Sequence, residues 1–309
     1  MITSLFRKST PLNYSLVIIA VVFFFFVFQM SHISHDNSWF HIFEKCCLLG
    51  IIFASLFVAN FIVKKNGLSK DSAYTVLFYL MFVLFFPSLF NNPYLIISNF
   101  FVLLSVRRLV SLHSLKATKE KIFDASLWVF VATLFHFWSI LFIILVFIAI
   151  LFHAARDYRN WFLPFIAFFT IATVFVLASI VFNEGWIAHL LKQAMVDYKI
   201  SYFTNNYQNL ALSIYATIGL FFVASLLLTL SNRPLILHSS YKKIISAFFI
   251  GILVFVISPD KSNDLLVFTI APLAMMATSH IEISAVKWQK EVICFTVILC
   301  GFYAFFSQL

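Results

Sequence analysis

The chain has 309 residues, of which 62% are hydrophobic and only 11% charged, and its mean hydropathy is +1.00. A soluble domain must keep a polar outer face, so this composition excludes a water-soluble enzyme and a soluble binding module. The net charge of +9 comes from loop lysines and arginines; sidedness in a membrane explains it, and no nucleic-acid partner is expected.

Apolar runs of the size needed to cross roughly 30 Å of hydrocarbon fall at 14–30, 46–63, 73–90, 94–110, 161–182, 210–230, 244–258, 265–281 and 292–308. The first follows Arg7 and Lys8, as in a signal peptide. It is long and has no small-x-small cleavage pattern, so it reads as a retained span. After the fourth run, residues 106–123 carry basic side chains beside Leu109, Leu112, Leu115 and Ile122, which suits a helix lying on an anionic cytoplasmic leaflet. The stretch 125–152 is 28 residues without a charge. As one helix it would be about 42 Å long, more than a crossing needs.

Charge decides how that stretch runs. If both its flanks are cytoplasmic, the inner loops hold 17 of the 21 Lys and Arg residues and the outer loops 4; if it crosses once, the split is 13 to 8. The stronger bias favours a hairpin of two short helices breaking near Phe135–Ser139. Non-helical backbone at that depth must be buried in protein or line a wet cavity. Residues 186–198 then place Trp186, Leu190, Leu191, Ala194, Met195 and Tyr198 at helical spacing, which predicts an amphipathic helix on the outer surface. The expected fold is an all-α polytopic transmembrane bundle, one integral membrane domain over 1–309. It has about eleven segments, the N-terminus cytoplasmic and the C-terminus outside, in a bacterial inner membrane.

Within the spans, Asn99, His136 and Ser139 should face the bundle interior. No span so drawn carries a mid-membrane Asp, Glu, Lys or Arg, which argues against a proton pump or an ion-coupled transporter. Cys46, Cys47, Cys294 and Cys300 lie in apolar runs without metal or disulfide spacing and read as small buried hydrophobes. The 42 phenylalanines read as lipid-facing bulk.

Candidate chemistry falls on the outer face. His32 and His35, three residues apart, could hold a divalent metal together with a carboxylate. Asp36 beside them could act as a general base. A solvated loop with incidental histidines and a helix cap would account for the same residues. Further along, Lys261 could meet a phosphate and Asp264 could serve a ligand, although turn formation and capping also suit the segment Ser258–Asp264.

The order of these features resembles the membrane domain of polytopic lipid-linked-sugar glycosyltransferases, the GT-C superfamily. The resemblance rests on a first outer loop with Asp36, short tandem helices over Trp128–Phe152 and a basic turn at Arg156-Asp-Tyr-Arg-Asn-Trp-Phe-Leu-Pro164. It also rests on an outer junction, Asp264-Leu-Leu-Val-Phe-Thr-Ile-Ala-Pro-Leu273. The first loop has one Asp where such proteins have an acidic pair, and no large outer domain is present. The pattern is also similar to an uncharacterised family of short bacterial polytopic inner-membrane proteins. The resemblance implies an outer-leaflet groove for a polyprenyl-phosphate-linked sugar or a similar lipid. In it Asp36 would be base or metal ligand, Lys192 and Lys261 would contact phosphate, and Tyr198 and Tyr202 would stack on sugar. The reading includes a degenerate, non-catalytic member. A non-catalytic subunit of an envelope assembly, with other membrane subunits as partners, is the alternative, and a transporter or flippase the third reading.

Overall fold

The structure, a computed structural model, describes residues 2–31, 39–183, 185–198, 205–259, 261–284 and 286–309. Among these residues it is all-α. The helices are α1 (Ile2–Phe6), α2 (Pro11–Ser31), α3 (Trp39–Lys65), α4 (Tyr74–Val83), α5 (Pro93–Val110), α6 (Thr118–Phe135), α7 (Ile143–His153), α8 (Arg159–Phe182), α9 (Gly185–Gln193), α10 (Asn206–Thr229), α11 (Leu235–Ile257), α12 (Val267–Ile283) and α13 (Lys287–Ser307). Eight of them, α2, α3, α5, α8, α10, α11, α12 and α13, are long and apolar enough to cross a membrane. Runs this apolar become helices because only an internally bonded backbone can sit in hydrocarbon.

The chain divides into two compact units, one of residues 1–96, 202–232 and 270–309, the other of residues 97–201 and 233–269. In the first unit α4 is wholly buried, and α2, α3 and α13 pack on it. The expected single run over 73–90 is interrupted here. α4 stops at Val83, and a 3-10 turn covers Pro87–Asn91. Pro87 supplies no N–H and disfavours helical geometry at Phe86, which adopts φ −133° and ψ 72°. The carbonyls released by the break find side-chain donors. Gln308 Nε2 reaches Phe85 O at 3.0 Å and Gln29 Nε2 reaches Phe90 O at 3.2 Å.

These contacts define two ends of the first unit. At one, Ser9 N donates to Asp71 O at 3.1 Å, Lys64 pairs with Asp71 at 2.8 Å, and Thr3 N donates to Glu291 at 3.3 Å. The N-terminus, the turn after α3 and the start of α13 therefore meet there. The C-terminal Gln308 is at the other end, with Gln29, Lys45 and Asn91.

In the second unit α6 packs on α8, and α11 packs on α7. The uncharged stretch breaks as its length demanded. α6 ends at Phe135, His136 is extended at φ −144° and ψ 110°, and a 3-10 turn over Phe137–Phe142 leads into α7. The two arms return to one place, because Lys119 near the start of α6 pairs with Asp157 beyond α7 at 3.2 Å. The Arg159 backbone N–H, with Lys119 beside it, holds the Asp157 carboxyl below the usual carboxylate range.

Several expectations are corrected. No interfacial helix covers 106–123: α5 runs to Val110, a 3-10 turn takes Ser111–Ser114, and α6 begins at Thr118. Left-handed residues at Leu115 and Ala117 turn the chain directly from one helix into the next. The outer helix expected over 186–198 ends at Gln193. The last long run before Ser258 begins at Leu235 instead of 244, so Lys242 and Lys243 lie inside α11. Lys243 is 1% exposed, whereas the expected span from 244 left both lysines outside it. Cys46 and Cys47 are exposed while Cys294 is buried and Cys300 half-buried. Phenylalanine also serves both environments: Phe78, Phe82, Phe85 and Phe86 are fully buried, whereas Phe162, Phe165 and Phe169 are exposed.

Candidate functional site

The polar groups of the second unit gather where the hairpin breaks. An interrupted helix leaves backbone donors and acceptors unpaired, and in a membrane each must be satisfied locally. Ser139 Oγ donates to His136 O at 2.8 Å. His136 Nε2 lies 3.1 Å from Ser258 Oγ, which itself donates to Val254 O at 2.7 Å. With the hydroxyl proton committed to that carbonyl, the Ser258 oxygen is left to accept and His136 donates through Nε2. His136 and Ser139 thus face inward as their polarity required. Asn99 is also buried, at 1% exposure.

The segment after α9 covers this break. Phe137 N donates to Gln193 Oε1 at 3.3 Å, and Trp138 Nε1 donates to Met195 O at 3.4 Å. Asp197 N reaches Ile257 O, the last residue of α11, at 3.4 Å. These bonds mark where α9 ends: beyond Gln193, the Met195 carbonyl and the Asp197 N–H are spent on the hairpin tip and on α11.

Lys261 locks the arrangement. Its ammonium donates to Asp197 O and, at 3.4 Å, to Ser258 O. Ser258 caps the C-terminus of α11, where unpaired carbonyls and the helix dipole favour a cation. Asp264 is buried in the 3-10 turn Asn263–Leu266, whose cap is Ser262. Asp264 is therefore not itself the cap. Lys192 and Tyr198 are exposed, the first on the last turn of α9 and the second beyond it. The structure thus brings Lys261 to the residue adjoining Tyr198 and leaves Lys192 on the surface. Asp36, His32, His35 and Tyr202 lie outside the described residues. Among the described residues, no group of three or more His, Cys, Asp or Glu side chains is placed to hold a metal.

One polar cluster escaped the sequence. Lys243 Nζ donates to Leu109 O at 2.6 Å, lies 3.5 Å from Val110 O and 3.3 Å from His153 Nε2. These carbonyls end α5, so the buried ammonium is a C-terminal cap supplied from another helix. Pro234, the cap that starts α11, was the available signal, because a proline just before an apolar run marks a helix start.

A family model described as a family of unknown function, DUF6427, matches residues 1–309 of the chain. No curated protein and no solved structure matches it.

Proposed function

The chain belongs to DUF6427, a family whose description assigns no function, and from its own geometry we propose that it handles a polyprenyl-phosphate-linked sugar or a similar lipid at the outer leaflet of a bacterial inner membrane. In this reading the N-terminus is cytoplasmic, the C-terminus is outside, and α4 and the α6–α7 hairpin complete eleven membrane segments. The observation that carries it is the closed base of the hairpin. Lys119 and Asp157 meet at 3.2 Å, beside the basic loops. The break at His136 and the polar cluster around Lys261 therefore lie together at the other end, on the acidic side of the charge bias.

The roles follow from side-chain chemistry. Asp36 is the general base, or with His32 and His35 a metal ligand. It takes the proton of an acceptor hydroxyl as that oxygen attacks the anomeric carbon, and the polyprenyl phosphate leaves with the bonding electron pair. Charge grows on the departing phosphate, where Lys192 and Lys261 stabilise it. Lys261 has three N–H donors; two go to Asp197 O and Ser258 O, and the third serves a phosphate oxygen. Tyr198 and Tyr202 stack on the sugar, and Asp264 orients the Lys261 turn.

A single-turnover assay with lipid-linked sugars tests the reading. Asp36→Ala should lower the rate by roughly 10²–10⁴-fold, the usual contribution of a positioned base. Wild-type turnover unchanged by Asp36→Ala would remove the mechanism. A second reading, a non-catalytic subunit of an envelope assembly, is favoured by α8. Only 11% of its apolar window is buried, and such a face suits a partner helix as well as lipid. Wild-type protein without turnover, co-purifying with a subunit seated on α8, would establish that reading instead.

A further inference from the structure

The first unit holds a cavity of about 890 Å³, a volume that accommodates a small ligand. Four cations, Arg7, Lys70, Lys287 and Lys290, line it with two carboxylates, Glu282 and Glu291. The carboxylates are already occupied by neutral donors. Glu282 accepts from Ser69 Oγ and Ser72 Oγ, each at 2.6 Å, and from Lys70 N at 3.0 Å. Glu291 accepts from Thr3 N at 3.3 Å and from Thr3 Oγ1. Among the described residues, none of the four cations belongs to an ion pair. The cavity therefore carries an excess of positive charge, with ammonium and guanidinium donors available to an anion.

The start of α13 supports this independently. Its cap, Val286, makes no side-chain bond, and its first turn contains no acid. Lys287 and Lys290 instead put positive charge on the positive end of the helix dipole, an arrangement that costs stability unless an anion sits there. Broken local rules of this kind concentrate at functional sites. Trp288 is 72% exposed beside the cavity, as an indole is at a membrane–water interface.

We infer that this cavity binds a phosphoryl group, carried by an anionic phospholipid headgroup or by a free phosphate ester. In the orientation proposed above this end faces the cytoplasmic leaflet, where anionic lipid is concentrated. The site is separate from the outer-face residues and stands whether or not Asp36 is catalytic.

The test uses the full-length protein, delipidated in detergent and then returned to phosphatidylcholine nanodiscs with or without phosphatidylglycerol. Retained lipid is counted by native mass spectrometry, and inorganic phosphate is the soluble competitor. A basic residue near an anionic surface contributes about fivefold in affinity, so K287Q/K290Q should weaken phosphatidylglycerol retention by roughly 25-fold. K287R/K290R should retain it. Retention that inorganic phosphate does not displace assigns the lipid source. Saturable inorganic phosphate binding, lost in K287Q/K290Q, assigns a soluble ester. Equal retention of both probes by wild type and K287Q/K290Q overturns the site. If K287Q/K290Q does not fold, the wild-type protein still decides: its binding must weaken as salt rises, and a salt-independent affinity overturns the proposal.

Discussion

Lys243 and Lys261 are both nearly enclosed cations, and both hold backbone carbonyls where a helix ends. For Lys261 the helix is its own neighbour α11, and the proximity of Ser258 in sequence made a role at that junction foreseeable. For Lys243 the carbonyls belong to Leu109 and Val110, more than a hundred residues earlier, and no local pattern announces such a partner. Removing a buried donor leaves its acceptors desolvated without compensation. Lys243→Met should therefore destabilise the protein by about 1–3 kcal/mol, read as a lower midpoint in detergent unfolding. An unchanged midpoint would mean that water replaces the ammonium and that the cap is dispensable. Asp36, by contrast, was singled out by its place in the first outer loop, beside two histidines and where the proteins it resembles carry an acidic pair.

Helices in this protein approach closely where a side chain is missing. Gly301 on α13 lies so near α4 that an added Cβ would sit 3.1 Å from Met81 O. That oxygen belongs to a helix buried on every side, so the backbone has little room to retreat. Gly301→Val should destabilise by about 1–3 kcal/mol through overpacking. Gly50 on α3 is the internal control, with nothing within 4 Å of its added Cβ. Gly50→Ala should be neutral or gain up to about 1 kcal/mol from helix propensity. Equal effects at the two positions would refute the close packing of α13 on α4. The interrupted elements follow a second rule. Both the turn at Pro87 and the break at His136 are tolerated because side chains supply the bonds that the helix gives up: Gln29 and Gln308 at the first, Ser139 and Gln193 at the second.

For the whole molecule the decisive quantity is sidedness. In the proposed orientation 17 of the 21 Lys and Arg residues lie on the inner side, a count that depends on 125–152 turning back, and the meeting of Lys119 with Asp157 supports that return. In a cysteine-free background, Lys192→Cys should react with a membrane-impermeant maleimide added to intact spheroplasts. Lys116→Cys should react only after permeabilisation. Both positions reacting from the same side would refute the eleven-segment orientation.

Most of the architecture was legible in the chain because the bilayer is a demanding solvent. It forces apolar runs into helices, spaces them by its own thickness and sorts lysine and arginine between its faces, all of which leave periodic traces in sequence. The 28-residue uncharged stretch could be recognised as a broken hairpin from length and charge alone. Tertiary structure decided what has no such trace. It joined Lys243 to the end of α5, brought the Met195 carbonyl beyond α9 to Trp138 at the hairpin tip, and gathered Arg7, Lys70, Lys287 and Lys290 around one cavity. Those contacts pair residues far apart in the chain, and their energies depend on burial and geometry that exist only once the helices have packed.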